Sequence, residues 1–181
     1  GPLQPARGAA TDALTIVTNG GGVGVMAADA AALAGLDLAP LSEATRAALD
    51  AALPANWSRA NPVDIIGDAP VERYVRTFET LLADPATGTL LFLHAPTAIV
   101  PSPRIAQALV PVIPRSPRRV LSSWVGGPGL EEARHIFHAA GVPTYDTPEG
   151  AVRAFSFIVN YRRSQELLME APPSRVAGAA A

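Results

Sequence analysis

Residues 14–34, LTIVTNGGGVGVMAADAAALA, constrain the fold more than any other stretch. An unbroken β-branched and apolar run enters the turn Asn19-Gly20-Gly21-Gly22, and the turn opens an alanine-rich helix, read here as 23–34 with Gly35 as its stop. A strand apolar on consecutive residues needs cover on both faces, which is the condition of a strand inside a parallel sheet. Small residues on the following helix let it lie close against that sheet. The same junction gathers unpaired backbone N–H groups at the positive end of a helix dipole, an arrangement that holds anions and most often phosphate.

The rest of the chain repeats the alternation. Residues 36–39 read as a second short strand, and Ser42 caps a helix running to about 53. A loop at 54–60 carries Trp57, and 61–68, NPVDIIGD, reads as a further loop. Pro70 opens a helix through Tyr74, Phe78 and Leu82 that Asp84-Pro85 ends. TLLFLH at 89–94 is a fully apolar strand, followed by a loop at 96–101 and a helix at 103–113. Strands at 119–124 and 142–145 flank a helix at 130–140 stopped by Gly141, and Thr147 caps a long helix at 148–169. Strands alternating with helices of this length specify an α/β domain: a five-stranded parallel sheet with helices on both faces, three layers in the flavodoxin-like order. In such sheets ligands bind beyond the carboxyl ends of the strands. Those ends are Asn19–Gly22, His94–Pro96 and Trp124–Gly127, with Asn61 and Asp64 of the NPVDIIGD segment expected nearby.

With 181 residues, 49% of them hydrophobic, the chain can build one core. Its mean hydropathy is +0.22, yet no apolar run reaches the roughly 18 residues of a membrane span. The first thirteen residues lack a secretory signal, and a cytoplasmic location is expected. Gly1-Pro2 reads as a protease-cleavage remnant, so 1–12 and the Pro/Ala/Gly-rich 170–181 are expected to be disordered around a domain at 13–169, within a longer parent. A net charge of −2 argues against nucleic acid as a partner; Arg115, Arg118 and Arg119 are the one basic cluster, and Arg118 and Arg119, just before a strand, are expected to be solvated. The absence of cysteine removes disulfides and thiol chemistry. All fourteen basic residues are arginine, which excludes a Walker P-loop and any Schiff base.

The glycine turn admits three readings. Gly22-x-Gly24-x-x-Ala27 matches a dinucleotide fingerprint, with Asp37 as the ribose carboxylate, although Asp37 follows Gly22 by 15 residues rather than about 20. The glycines could serve packing alone. Or Asn19, Gly20, Gly21, Gly22, Val23 and Gly24 form a phosphate cradle at the helix N-terminus. His94 ends an apolar strand and could act as a base or phosphoryl acceptor, though a hydrogen-bonded, inert histidine is the favoured reading. His135 and His138 share a helix face but lack a third metal ligand, and no metal site is expected. Asp64 and Asp68 could pair for metal–phosphate work, or simply make turns. Gly126 and Gly127 complete the site edge. No G-x-S-x-G elbow supports hydrolase chemistry.

Three segments together, IVTNGGGVGVMAADA (16–30), NPVDIIGDAPVERY (61–74) and the SSWVGG…GVPTYDTPEGAVRAF series (122–155), resemble the second succinyl-CoA-synthetase-like, flavodoxin-fold domain of the NDP-forming acyl-CoA synthetases, of which the ADP-forming acetate–CoA ligases are the best-known members. The same module occurs in protein-lysine acetyltransferase fusions. The resemblance covers about 13–165. It implies conversion of acyl-CoA, ADP and phosphate to acid, CoA and ATP through an acyl phosphate and a phosphohistidine, with two helix N-termini from paired domains facing that histidine. On this model Gly21, Gly22, Val23 and Gly24 supply one cradle. The family's phosphohistidine lies in a His-Thr-Gly or His-Ala-Gly loop of the sister domain, and no histidine here has that context, so no catalytic residue is expected in this chain. CoA, ATP/ADP, phosphate and Mg would be bound with the sister domain, a CoA-binding domain and an ATP-grasp domain, and the chain is expected not to turn over alone. A regulatory ligand-binding copy in an acetyltransferase fusion, and a nicotinamide-dinucleotide domain, are the alternatives.

Overall fold

The computed structural model describes residues 12–114 and 120–170. The leader and tail expected to be disordered, apart from Asp12 and Glu170, lie outside the described residues, as do Arg115, Arg118 and Arg119.

Five parallel strands form one sheet: β1 (Leu14–Thr18), β2 (Val63–Asp64), β3 (Thr89–His94), β4 (Val120–Trp124) and β5 (Thr144–Tyr145), in the order β2-β1-β3-β4-β5. This is the doubly wound flavodoxin-like order. The helices are α1 (Gly21–Leu33), α2 (Glu43–Ala52), α3 (Val71–Ala83), α4 (Ser102–Leu109), α5 (Glu131–Ala139) and α6 (Pro148–Glu170). All five residues of β1 and of β4 are buried, as a sheet covered on both faces requires.

Two apolar cores follow from the alternation of side chains along the strands. Leu14, Ile16, Leu91, Leu93 and Leu121 meet Ala27 and Ala31 of α1 and Val152, Phe155 and Val159 of α6. On the other face Val17, Leu90, Phe92 and Trp124 meet Leu49, Tyr74, Phe78, Ile105 and Phe137 of α2–α5. Phe92 is the centre of that layer, edge-on to Phe78 at 5.2 Å and to Trp124 at 5.3 Å, a geometry that adds to simple burial.

The second strand differs from expectation. Residues 36–39 make a single bridge, Leu38 to Leu14, and Ala39 N–H donates to Leu14 O. The strand beside β1 is Val63–Asp64, from the segment read as a loop, in register with Val17 and Thr18. Two short pieces thus share one edge of β1. Asn61 joins them: its Nδ2 donates to Leu14 O and Ala39 O at 2.9 and 2.8 Å, and its Oδ1 accepts from Ile16 N–H at 2.9 Å. One side-chain amide does there what a strand backbone would do. Smaller differences have local causes. α4 stops at Leu109 and tightens into a 3-10 turn, Val110–Val112, because Pro111 has no N–H for the helix ladder. A 3-10 turn at Pro128–Leu130 precedes α5.

Candidate phosphate site at the sheet edge

β1 and β3 lie side by side, while α1 and α4, which follow them, pack on opposite faces. Their carboxyl ends therefore flank the crevice where such sheets bind ligands. α1 begins at Gly21, two residues earlier than expected, and no side chain caps it. Its first turn holds no acidic residue.

The six residues of the expected cradle have different duties. Asn19 is buried, and its amide pairs with Ala95: Nδ2 donates to Ala95 O at 2.7 Å and Oδ1 accepts from Ala95 N–H at 2.9 Å. It straps the end of β1 to the end of β3 and offers nothing to a ligand through its side chain. Gly20 N–H donates to Thr18 Oγ1 at 3.0 Å, and Gly24 N–H to Gly20 O at 3.2 Å. The open amides are those of Gly21, Gly22 and Val23, the first-turn groups with no partner inside the helix.

The glycines divide in the same way. A Cβ on Gly24 would lie 3.0 Å from Thr18 Cγ2 and 3.5 Å from Pro62 Cβ, so its lack of a side chain lets α1 approach the sheet. A Cβ on Gly22 would meet nothing within 4 Å. Gly22 faces open space, which is where an anion would sit.

Asp64 ends β2 beside this turn. Its Oδ1 accepts from Ile66 N–H at 2.9 Å, and its Oδ2 lies 3.0 Å from the position a Gly21 Cβ would take. Ile66 has φ +69°, an uncommon conformation for a β-branched residue. Arg73 holds the segment, with Nη1 donating to Ile65 O at 3.0 Å and to Asp68 Oδ1 at 2.5 Å. Asp68 is thus ion-paired to Arg73, while Asp64 lies at α1, so the two carboxylates do not act as a pair.

The β4 end is built similarly. Gly126 has φ +153°, and a Cβ there would stand 2.9 Å from Leu130 Cδ1 and 3.3 Å from Pro96 Cγ. Arg134 Nη2 donates to Trp124 O at 2.7 Å and Gly126 O at 3.1 Å. Gly127 is exposed and unobstructed. Arg73 and Arg134, each holding a loop through backbone carbonyls, are site-shaping residues that the sequence reading missed; the pairing of Arg134 with Glu131 three residues earlier was the one available sign.

His94 leaves the site. It is fully buried among Tyr74, Phe92 and Trp124, with ring centroids 5.9, 6.0 and 4.9 Å away. Its Nε2 lies 3.0 Å from Ser102 Oγ. Burial pushes its pKa down to about 4, so it is neutral at physiological pH. Burial also raises the Tyr74 phenol. Asn61 is likewise committed to the sheet. Asp37 cannot serve a dinucleotide at the glycine turn: neighbouring Leu38 pairs with Leu14, four residues and about 13 Å back along β1 from Thr18. His135 and His138 are exposed on α5. Among the described residues no group of three or more His, Asp or Glu is placed to hold a metal ion, and no helix is long and apolar enough to cross a membrane.

Comparison with known proteins agrees with this architecture. The family model described as "Ligase-CoA domain" matches residues 14–168. Acetate–CoA ligase [ADP-forming] I of Archaeoglobus fulgidus is 35% identical over 150 residues, covering 83% of this chain and 21% of its own. The alpha subunit of acetate–CoA ligase [ADP-forming] I of Pyrococcus furiosus is 32% identical, covering 84% of this chain and 33% of its own. The dinucleotide-forming acetyl-coenzyme A synthetase 1 of Ca. Korarchaeum cryptofilum, solved in complex with phosphate and ADP, superposes with a TM-score of 0.81 at 31% identity, over 88% of this chain and 35% of its own. The chain thus spans between a fifth and about a third of these relatives' length. Matched along nearly all of its folded part, the chain belongs to the Ligase-CoA domain family of the NDP-forming acyl-CoA synthetases.

Proposed function

We propose that this domain is one half of a phosphoryl-transfer site in an ADP-forming acyl-CoA synthetase. The N–H groups of Gly21, Gly22 and Val23 hold the oxygens of a phosphoryl group carried on a histidine of the sister domain. One observation carries the reading: among the described residues, α1 opens at the carboxyl edge of the sheet with three amides that have no hydrogen-bond partner and with nothing within 4 Å of a Gly22 Cβ position. Amide donors fixed before the reaction stabilise charge on a transferring phosphoryl group without a lysine, and this chain has none. The relatives' greater length, and the phosphate and ADP in one solved neighbour, support placing the rest of the chemistry elsewhere in the parent. The CoA site, the nucleotide site with its Mg, and the acceptor histidine would belong to the CoA-binding, ATP-grasp and sister domains.

The test is Gly22→Val in the full-length parent enzyme. A Cβ there meets nothing within 4 Å, so folding survives while the anion space fills. ATP formation from acyl-CoA, ADP and phosphate should fall by roughly 100-fold, the scale of losing one oxyanion donor. Unchanged turnover in folded enzyme would overturn the cradle.

A further inference from the structure

We infer that the outer face of α6 is the seam of a homodimer, in which two copies of this chain lay their α6 helices antiparallel across a two-fold axis. The inference does not depend on the phosphoryl cradle, which opens at the opposite edge of the sheet.

α1 and α6 pack side by side on one face of the sheet, and both begin at its carboxyl edge. α1 has 13 residues and α6 has 23, so α6 runs about 15 Å further. Asp12, just ahead of β1, marks where α6 passes the amino edge: its carboxylate pairs with Arg162, and with Arg163 Nε at 2.8 Å. The residues after Arg163 extend past the sheet. Ala151, Val152, Phe155 and Val159 form the side of α6 that faces the sheet. On the opposite side, at steps of four, three and four, stand Phe157, Tyr161, Ser164 and Leu168. The three large ones are 68%, 69% and 71% exposed. Met26 and Leu33 of α1, also exposed, widen the patch.

The outer face of a surface helix is ordinarily polar and charged. Here the charged residues between 154 and 168 are Arg162, Arg163 and Glu166. All three are turned from the stripe, the arginines to Asp12 and Glu166 to Arg162 at 3.8 Å. A stripe of this kind is an interaction surface. Two features make a second copy its occupant. Steps of four and three are the spacing of a coiled-coil seam. Antiparallel self-pairing, centred between Arg162 and Arg163, sets Phe157 against Leu168 of the second copy and Tyr161 against its Ser164, large against small. The positions flanking that seam, Ile158, Asn160, Gln165 and Leu167, carry no charge, so an isologous contact brings no like charges together. The chain's own remaining segments do not supply a cover: 1–11, 115–119 and 171–181 hold Leu3 and Val176 as their only large apolar side chains.

The experiment is sedimentation equilibrium of the purified 181-residue chain across micromolar concentrations. The chain should form a reversible dimer of twice its 18.7 kDa. Phe157→Glu and Tyr161→Glu alter exposed positions, and far-UV circular dichroism verifies that each variant folds. Each should raise the dimer dissociation constant about 30-fold, the scale of losing an aromatic hot spot. The register is read by cross-linking, because the chain has no cysteine of its own. An equimolar mixture of Phe157→Cys and Leu168→Cys chains should join through a short bismaleimide. Phe157→Cys alone should not, since its two sites stand about 16 Å apart along the helix pair. A monomer at every concentration, a dimer that both folded glutamate variants leave intact, or a cross-link between like positions overturns the inference. Each of these results leaves the cradle standing, because Gly22→Val tests it separately.

Discussion

His94 shows how far burial alone decides a residue's role. A histidine at the carboxyl end of a central strand is where catalytic groups of α/β proteins are found, yet this ring is sealed by three aromatic neighbours and holds Ser102. Its pKa in the folded state is about 4, against roughly 6.5 when unfolded. Between those values the unfolded chain binds a proton that the folded chain does not. The stabilisation is therefore complete above about pH 6.5 and is lost as the pH falls toward 4. A difference of this size corresponds to about 3 kcal/mol. Urea unfolding of the wild type and of His94→Gln across that window should show the wild type losing more stability by about that amount. Parallel pH profiles would mean that His94 is not buried as described. Single residues of this kind were only partly legible in the sequence. Gly22 and Gly24 belong to one motif, and only the space around each Cβ position separates a glycine that faces open space from a packing glycine.

At the scale of elements, the alternation of apolar runs and helical spacing was readable because β1, β3 and β4 are five or six residues long and buried at every position but Thr89. β2 was not, because two paired residues carry no period, and because Asn61 replaces a backbone with a side-chain amide. The start of α1 was misplaced because no Ser, Thr, Asp or Asn caps it. The missing cap is the same feature that leaves its amides open. The glycine turn is kept in place instead by the Asn19 strap between β1 and β3. Asn19→Ala would remove both of its bonds and leave the Ala95 N–H and carbonyl without them. Two lost hydrogen bonds at a buried position predict a cost of about 2–4 kcal/mol. In hydrogen–deuterium exchange, protection should fall first at 19–24 and 94–96. Equal protection there in the variant would show that the turn does not depend on the strap.

At the scale of the whole molecule, the question is whether any histidine, lysine or cysteine of this chain could take a phosphoryl group from the proposed cradle. The chain has three histidines. His94 is buried, neutral and bonded to Ser102. His135 and His138 lie on α5, which packs with α2–α4 on the face of the sheet opposite α1. None faces the open amides of Gly21, Gly22 and Val23, and lysine and cysteine are absent from the sequence. Transfer to a histidine within the domain has no geometric route, because the donor, the acceptor and the in-line space between them must occupy one site. The isolated chain incubated with acetyl phosphate, or with ATP and magnesium, should therefore acquire no acid-labile phosphate by 31P NMR and should form no ATP from acetyl phosphate and ADP. Adding the remaining domains of the parent should restore both reactions. A stoichiometric phosphohistidine on the isolated chain would place the acceptor inside this domain and would contradict the half-site.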